Sequence, residues 1–333
     1  TGVEISIEVD ATPPTNPASV LPDESPTADT TIEWTWATSS DPVGSYTSGL
    51  KGYYVKLGTT SGGDEVKSET FNAPASYTTE ALTSYGSGTY NLTVRAEDNV
   101  GNSSGSATGS VVLDITEPEA PGIPSGTSPT TDTTPTWSWT AASDAHTAVA
   151  SYNVKIGTAQ GGHDKLGVTN IGALLSYAPV LPLTPDDRYY LSVQAVDTVG
   201  NVSAWSEDPN GILIDTTAPG NPSDLDVTTP TNDRTPEVTW TEATDPGYPE
   251  SGSGVVDYEV QIGTTTGTGG VKPWTSVGNI TTFDDAAWAA LGVTLTPDNK
   301  YYFQVRAVDA VGLKNTGVEI SIEVDATPPT NPA

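Results

Sequence analysis

Residues 89–102 read TYNLTVRAEDNVGN, and two variants of this segment follow, RYYLSVQAVDTVGN at 188–201 and KYYFQVRAVDAVGL at 300–313. In each copy apolar residues alternate with mostly polar ones, as Tyr90, Leu92 and Val94 do in the first. A period of two places these apolar side chains on one face of a β-strand. An aspartate and a glycine then follow, as is typical of a turn. The segment therefore predicts a half-buried strand in each copy.

Two further motifs precede this strand, in the same order in every copy. The first is a strand that carries a tryptophan, namely Trp36, Trp139 and Trp240. We predict that these large aromatic side chains lie in the core. The second joins a tyrosine, alternating apolar residues and a glycine, at 53–58, 152–157 and 258–263. Motifs that recur in one fixed order indicate tandem copies of a single domain.

These motifs resemble the fibronectin type III superfamily and the similar bacterial Ig-like tandem repeats of extracellular surface proteins. The shared features are the strand B tryptophan, the Y-x-V-x-[LI] strand and an L-x-P-x-x-x-Y corner at 183–189 and 295–301. Gly86 and Gly88 stand in place of the corner proline in the first copy, so a differently built corner is expected there. The resemblance implies an all-β fold of three tandem seven-stranded antiparallel sandwiches in an elongated array. It says little about function, because such folds serve many.

Linker aspartates mark the predicted domain boundaries. Asp10, Asp114, Asp215 and Asp325 lie roughly 100 residues apart, the length of one such sandwich. We predict the last strand of a preceding repeat at 1–10, domains at 11–115, 116–215 and 216–325, and the start of the next repeat at 326–333. The linkers are short and contain proline, which favours a rod over a flexible string.

The first eighteen residues, TGVEISIEVDATPPTNPA, return unchanged at 316–333. This is expected of one unit of a longer periodic array that runs slightly past one period. We therefore expect residues 1–10 to have the strand conformation of 316–325, which should pair with 301–308. The alternative is an identical strand at both ends that is exchanged between chains.

Composition excludes several classes of partner. The net charge is −30, from 42 acidic and 12 basic residues, whereas nucleic acids and anionic membranes are bound through basic faces. No apolar run approaches the roughly 20 residues of a membrane span. Without cysteine there is no disulfide or thiolate metal site. The eight tryptophans and fourteen tyrosines at recurring positions indicate packed cores rather than disorder.

The sequence contains no arrangement typical of an active site. His146 and His163 stand in loops rich in glycine or alanine and are predicted to be surface residues. The metalloprotease pattern H-E-x-x-H does not occur. The acidic residues lie in turns that recur in every copy, which is not expected of a single catalytic pair. We therefore predict that the chain is not an enzyme.

The segment FDDAAWAAL at 283–291 departs from the strand pattern. It fits a short helix capped at Asp284 or Asp285, because aspartates precede an alanine-rich run. It fits equally well an irregular strand that places Trp288 in the core. The sequence leaves both alternatives open.

The aspartates suggest a metal site at the start of each domain. In a fibronectin-type sandwich the entering linker, the BC loop and the FG loop lie at one end. This gathers three aspartates per copy: Asp10, Asp41 and Asp98; Asp114, Asp144 and Asp197; Asp215, Asp245 and Asp309. The preceding copy should add its AB-loop and EF-loop acids: Asp29, Asp132, Asp233, Asp186, Asp187 and Asp298. Such oxygen ligands suit Ca²⁺. The alternative is that these aspartates only form turns.

The function we predict is mechanical. The chain would be a structural repeat unit of an extracellular fibre, stalk or adhesin, with copies of itself in tandem or in a filament as partners. The alternative is an array that binds carbohydrates or surface glycans through Tyr46, Trp205, Tyr248 and Trp274, or an accessory array of a secreted hydrolase. Sequons at Asn91, Asn102, Asn201 and Asn279 permit glycosylation without showing it.

Overall fold

The computed structural model describes residues 2–43 and 46–328, and their secondary structure is almost entirely β. The first repeat contains β1 Ala18–Pro22, β2 Glu33–Ala37, β3 Leu50–Gly58, β4 Lys67–Asn72, β5 Ser76–Thr78, β6 Gly88–Asp98 and β7 Ser103–Leu113. The second contains β8 Trp137–Ser138, β9 Val149–Gly157, β10 Leu166–Asn170, β11 Ser176–Tyr177, β12 Asp187–Asp197, β13 Ser206–Glu207 and β14 Ile212–Ile214. The third contains β15 Ser223–Val227, β16 Val238–Thr241, β17 Val255–Gly263, β18 Lys272–Gly278, β19 Thr282–Phe283, α1 Asp285–Leu291, β20 Asn299–Asp309 and β21 Val318–Val324. A 3₁₀ turn covers Leu82–Ser84.

The strands pair as sheets of an Ig-type sandwich. In the first repeat β1-β2-β5 form one sheet and β4-β3-β6-β7 the other, and in the third β15-β16-β19 and β18-β17-β20-β21 do the same. The second repeat has β11-β8 in one sheet and β10-β9-β12-β13 in the other, with β14 also on β12. This antiparallel, all-β architecture confirms the predicted sandwich fold. Within the described residues, no helix has the length and apolarity needed to cross a membrane.

Buried apolar residues form three separate clusters, which lie within 20–113, 137–214 and 227–324. Trp36, Trp139 and Trp240 are only 6%, 6% and 5% exposed, as predicted. Trp34 and Trp137 are fully buried as well, because residues two apart in a strand share a face. Each cluster therefore centres on tryptophan side chains. The domain boundaries given above remain a prediction.

A tyrosine at the start of the long strand fixes the corner in every repeat. The Tyr90 hydroxyl donates to the Gly86 carbonyl at 2.7 Å, and the Tyr189 hydroxyl donates to the Thr184 carbonyl at 2.8 Å. In the third repeat the Thr296 amide donates to the Tyr301 hydroxyl at 3.0 Å. The first corner was expected to be built differently. It lacks proline but makes the same type of tyrosine bond as the second.

The segment 283–291 forms the helical alternative. Asp284 caps α1 by accepting bonds from the Ala286 and Ala287 amides, both at 3.1 Å. Trp288 is also fully buried, and its indole N–H donates to the Pro236 carbonyl at 2.8 Å. Trp288 is therefore a core residue, as the strand alternative also predicted, although the segment is helical.

The two copies of the recurring segment differ in structure. Val318–Val324 forms β21 and pairs with β20 of its own repeat, as predicted, although over 299–305 rather than 301–308. Residues 2–10, in contrast, form no strand, which corrects the expected shared conformation. The segment packs against no sheet, so its apolar side chains are 72% to 88% exposed. These side chains are Val3, Ile5, Ile7 and Val9. Thr1, from the predicted preceding repeat, lies outside the described residues. So do residues 329–333, from the predicted next repeat.

Replacing Trp240 by alanine should lower the free energy of unfolding of the third repeat by about 3–5 kcal/mol, because it leaves a cavity in the core. Urea denaturation of the full chain measures this loss. Val256→Ala is the matched control, since Val256 is 50% exposed in the same repeat. A loss below about 1 kcal/mol would show that the core does not depend on this ring.

Replacing Asp284 by alanine should cost about 1 kcal/mol, because two amides of the first turn of α1 lose their acceptor. Asp284→Asn keeps an acceptor oxygen and should retain most of the stability. Thermal unfolding of the two variants gives the comparison. Equal losses would contradict a capping role.

Candidate metal centres at the repeat junctions

The structure brings the predicted aspartates together in two of the three repeats. One group holds Asp10, Asp41 and Asp98, and another holds Asp215, Asp245 and Asp309, with one oxygen of each residue within 4.8 Å of the others. The group in the second repeat instead contains Asp114, Asp144 and His146, and Asp197 is not part of it. In the first and third groups three elements each supply one aspartate: the linker, the loop after the tryptophan strand, and the end of the long strand. In the second group the linker supplies Asp114 and the loop supplies both Asp144 and His146.

The second group differs from the prediction in two ways. His146, predicted to be an ordinary surface residue, places its Nδ1 atom 3.9 Å from Asp114 Oδ1. Asp197 Oδ1 accepts from the Val199, Gly200 and Asn201 amides, so this carboxylate is held by its own turn. The turn alternative therefore describes Asp197, whereas His146 was missed because nothing in its loop context indicates the contact.

In two of the three repeats, an asparagine at the end of the glycine turn donates a hydrogen bond to the aspartate at the end of the long strand. The Asn102 amide group donates to Asp98 Oδ2 at 2.8 Å and to the Asp10 carbonyl at 3.1 Å. Asn201 donates in the same way to Asp197 Oδ2 at 2.7 Å and to the Asp114 carbonyl at 3.1 Å. The side-chain amides of these two sequons are thus engaged inside the junction.

The third repeat has Leu313 at this position, and its side chain donates no hydrogen bond. The Val311 and Leu313 backbone amides donate to Asp309 Oδ1 at 3.0 and 2.8 Å. Asp309 Oδ2 has no hydrogen-bond partner among the described residues, and neither does Asp245 Oδ1. Asp245 and Asp309 are 7% and 1% exposed. The third group therefore contains two buried carboxylates that each retain a free oxygen.

The electrostatics of the groups follow from these partners. Burial raises the pKa of Asp245 and of Asp309, and repulsion by Asp215 raises both further. Burial also opposes ionisation of Asp98, but hydrogen bonds, first that of the Asn102 side chain, lower its pKa below the usual value. The same carboxylate position is therefore satisfied in the first repeat and unsatisfied in the third.

The acids expected from the preceding repeat behave differently from one another. Asp186 lies close enough to add to the repulsion at Asp245, as predicted. Asp29, in contrast, accepts from the Thr31 amide two residues on. Its counterparts make the same local turn: Asp132 with Thr134 and Asp233 with Thr235. Asp187 accepts from the Arg188 amide, and Asp298 accepts from the Ala326 amide and the Thr327 hydroxyl in the following linker.

Two of the predicted sugar-stacking aromatics have a cation over one ring face. The Lys155 ammonium lies 4.5 Å from the centre of the Trp205 ring, and the Arg306 guanidinium lies 4.2 Å from that of Trp274. Tyr46 and Tyr248 are 50% and 63% exposed. Binding of glycans remains a prediction that rests on the two tyrosines more than on the tryptophans.

Several known proteins are similar in sequence to this chain. The model of the Rha78A-like, N-terminal immunoglobulin domain matches residues 127–210. Exoglucanase A and exoglucanase B of Cellulomonas fimi are 33% and 30% identical to this chain over 86% and 91% of its length. Chitinase A1 of Niallia circulans is 34% identical over 42% of the chain.

The chain spans only part of these relatives, covering 30% of exoglucanase A, 25% of exoglucanase B and 19% of chitinase A1. The similarity to the two exoglucanases extends over most of this chain rather than over one repeat. The Ig-domain match falls inside the second repeat, between β7 and β14. With the sandwich fold described above, these matches identify the chain as a set of fibronectin type III/Ig-like repeats.

Proposed function

We propose that this chain is a non-catalytic spacer that holds other parts of an extracellular protein at a set distance and angle. The observation that carries the proposal is the way each internal linker is bonded. The aspartate at the end of one repeat makes hydrogen bonds both to that repeat and to the next one.

The first linker shows this arrangement around Asp114, whose side chain is fully buried. Its backbone amide donates to the Thr27 carbonyl of the first repeat at 2.9 Å. Its Oδ2 atom accepts from the Thr147 hydroxyl of the second repeat at 2.7 Å. The linker is therefore held from both sides by residues distant in sequence.

The second linker repeats the arrangement with other donors. The Asp215 amide donates to the Thr130 carbonyl at 2.9 Å, and Asp215 Oδ2 accepts from the Ser253 amide at 2.7 Å. Asp186 of the second repeat also accepts from the Thr216 amide at 2.8 Å and from the Thr217 hydroxyl at 2.6 Å. Three consecutive linker residues are thus tied down.

These bonds favour stiffness. A hydrogen bond to a charged group contributes about 1.5–3 kcal/mol, and bending the linker would break several at once. Prolines that follow, such as Pro118 and Pro219, fix one backbone dihedral each. A linker of this type differs from a glycine- and serine-rich one, whose ends wander as a random coil.

The relatives favour a particular setting for the spacer. Two are named exoglucanases and one a chitinase, and each is much longer than this chain. We infer that the repeats are an accessory array in an extracellular protein that acts on a polysaccharide. In the fibre or stalk that the sequence also suggested, the same junctions would provide reach by the same mechanism.

Spin labels on either side of the second linker test the stiffness. The chain has no cysteine, so Ala173→Cys and Ser276→Cys provide a single labelled pair. Pulsed electron paramagnetic resonance should give a narrow distance distribution. A Gly-Ser-Gly-Ser insertion between Thr216 and Thr217 should broaden it, because Asp186 then loses its linker partners.

The same insertion between Gly62 and Gly63, in an exposed turn of the first repeat, is the matched control and should leave the distribution narrow. The proposal fails if the native chain gives a distribution as broad as that of the linker-insertion variant.

A further inference from the structure

The third junction group differs from the other two because all three of its side chains are buried. Asp215, Asp245 and Asp309 are 0%, 7% and 1% exposed. No ion pair within residues 2–43 and 46–328 involves any of them. Carboxylates withdrawn from water without a counter-charge are strongly unfavourable, and repulsion among them adds several kcal/mol. The group therefore requires a positive charge.

Two buried carboxylate oxygens of this group have no hydrogen-bond partner among the described residues. Asp245 Oδ2 is used by the Gly254 amide at 2.5 Å, which leaves Oδ1 without a partner inside the group. Asp309 presents Oδ2 for the reason given above, since Leu313 replaces the asparagine donor. The buried Ser253 hydroxyl has no hydrogen-bond partner among the described residues either. Asp215 completes the group, since one oxygen of each of the three aspartates lies within 4.8 Å of the others.

We propose that the junction between the second and third repeats binds one calcium ion through Asp215, Asp245 and Asp309. Calcium accepts six to eight oxygen ligands at roughly 2.3–2.6 Å and tolerates the irregular geometry of loops. A cleft of about 560 Å³ borders Asp245 and Ser253 at one side of the group. Magnesium requires a tighter octahedron and should bind less well.

The proposal assigns a specific role to Leu313. An asparagine here would donate to Asp309 Oδ2, as Asn102 does to Asp98 Oδ2. The oxygen would then be occupied and the ion would lose a ligand. In the first and second repeats Asn102 and Asn201 occupy the corresponding oxygens, of Asp98 and Asp197. Calcium binding at those two junctions remains a prediction only. Binding at the third junction goes beyond the spacer role, since an ion can be held whether or not the array is stiff.

Calorimetric titration of the full chain with CaCl₂, after treatment with chelator, tests the site. We expect one saturable binding event and a lower melting temperature in chelator, because a ligand bound only by the folded form stabilises it. Leu313→Asn should weaken binding by about tenfold or more. It should fold normally, since it recreates the turn of the other two repeats.

Controls separate this site from general effects of charge. Val311→Asn adds an amide to the same turn without facing Asp309 Oδ2 and should bind as the native chain does. Asp309→Asn should abolish the event, whereas Asp98→Asn should leave it intact. MgCl₂ in the same titration should give much weaker binding.

Several results would overturn the proposal. One is an unchanged melting temperature in chelator together with no heat of binding, which would mean that protons neutralise the group. Another is weak binding at many sites that is equal in all variants, as expected of an acidic surface. Loss of binding in Asp98→Asn rather than Asp309→Asn would place the ion at the first junction. A broad label distribution with calcium bound would instead contradict only the spacer role.

Discussion

Burial of a carboxylate at each internal linker is the constraint on which the arrangement of this chain depends. The Asp114 and Asp215 side chains have no exposed surface, and a charge in that position is tolerated only when donors surround it. Those donors come from the following repeat, through Thr147 and Ser253. In the proposed spacer, two sandwiches that are both bonded to one aspartate have little freedom to rotate. On this proposal the linker geometry depends on hydrogen bonding, which is directional, rather than on apolar contact, which is not.

The fold was predictable because it depends on patterns that are local in sequence. The period-two run from Tyr90 to Ala96 and its two counterparts are the central strands of the four-stranded sheets, and the tryptophans fill the cores. The conformation of residues 2–10 was not predictable in this way. An identical segment forms β21 at 318–324 because β20 lies beside it. A β-strand forms only beside a partner strand, so one sequence segment adopts two different conformations in this chain.

The candidate site was predictable only in outline. Topology indicated that linker, BC-loop and FG-loop aspartates share one end of each sandwich, and it did bring Asp215, Asp245 and Asp309 together. Which oxygens remain free depends on neighbouring side chains, and no periodicity encodes that. Asp197 is satisfied by its own turn, and His146 approaches Asp114 across a loop whose sequence is unremarkable in charge or spacing. The hydrogen-bond partner of a single side-chain atom can be identified only from the three-dimensional structure.

The position after the turn glycine explains how one fold can carry junctions of different chemistry. Gly101, Gly200 and Gly312 have φ values of 96°, 98° and 88°, a conformation that other residues adopt only with strain. This turn aims the next side chain at the junction, where Asn102 and Asn201 reach a linker carbonyl. Leu313 occupies the same place without a donor and lies outside the buried core cluster. A substitution there changes the hydrogen bonding of a junction carboxylate, while the core cluster of the sandwich, which excludes this side chain, keeps its residues.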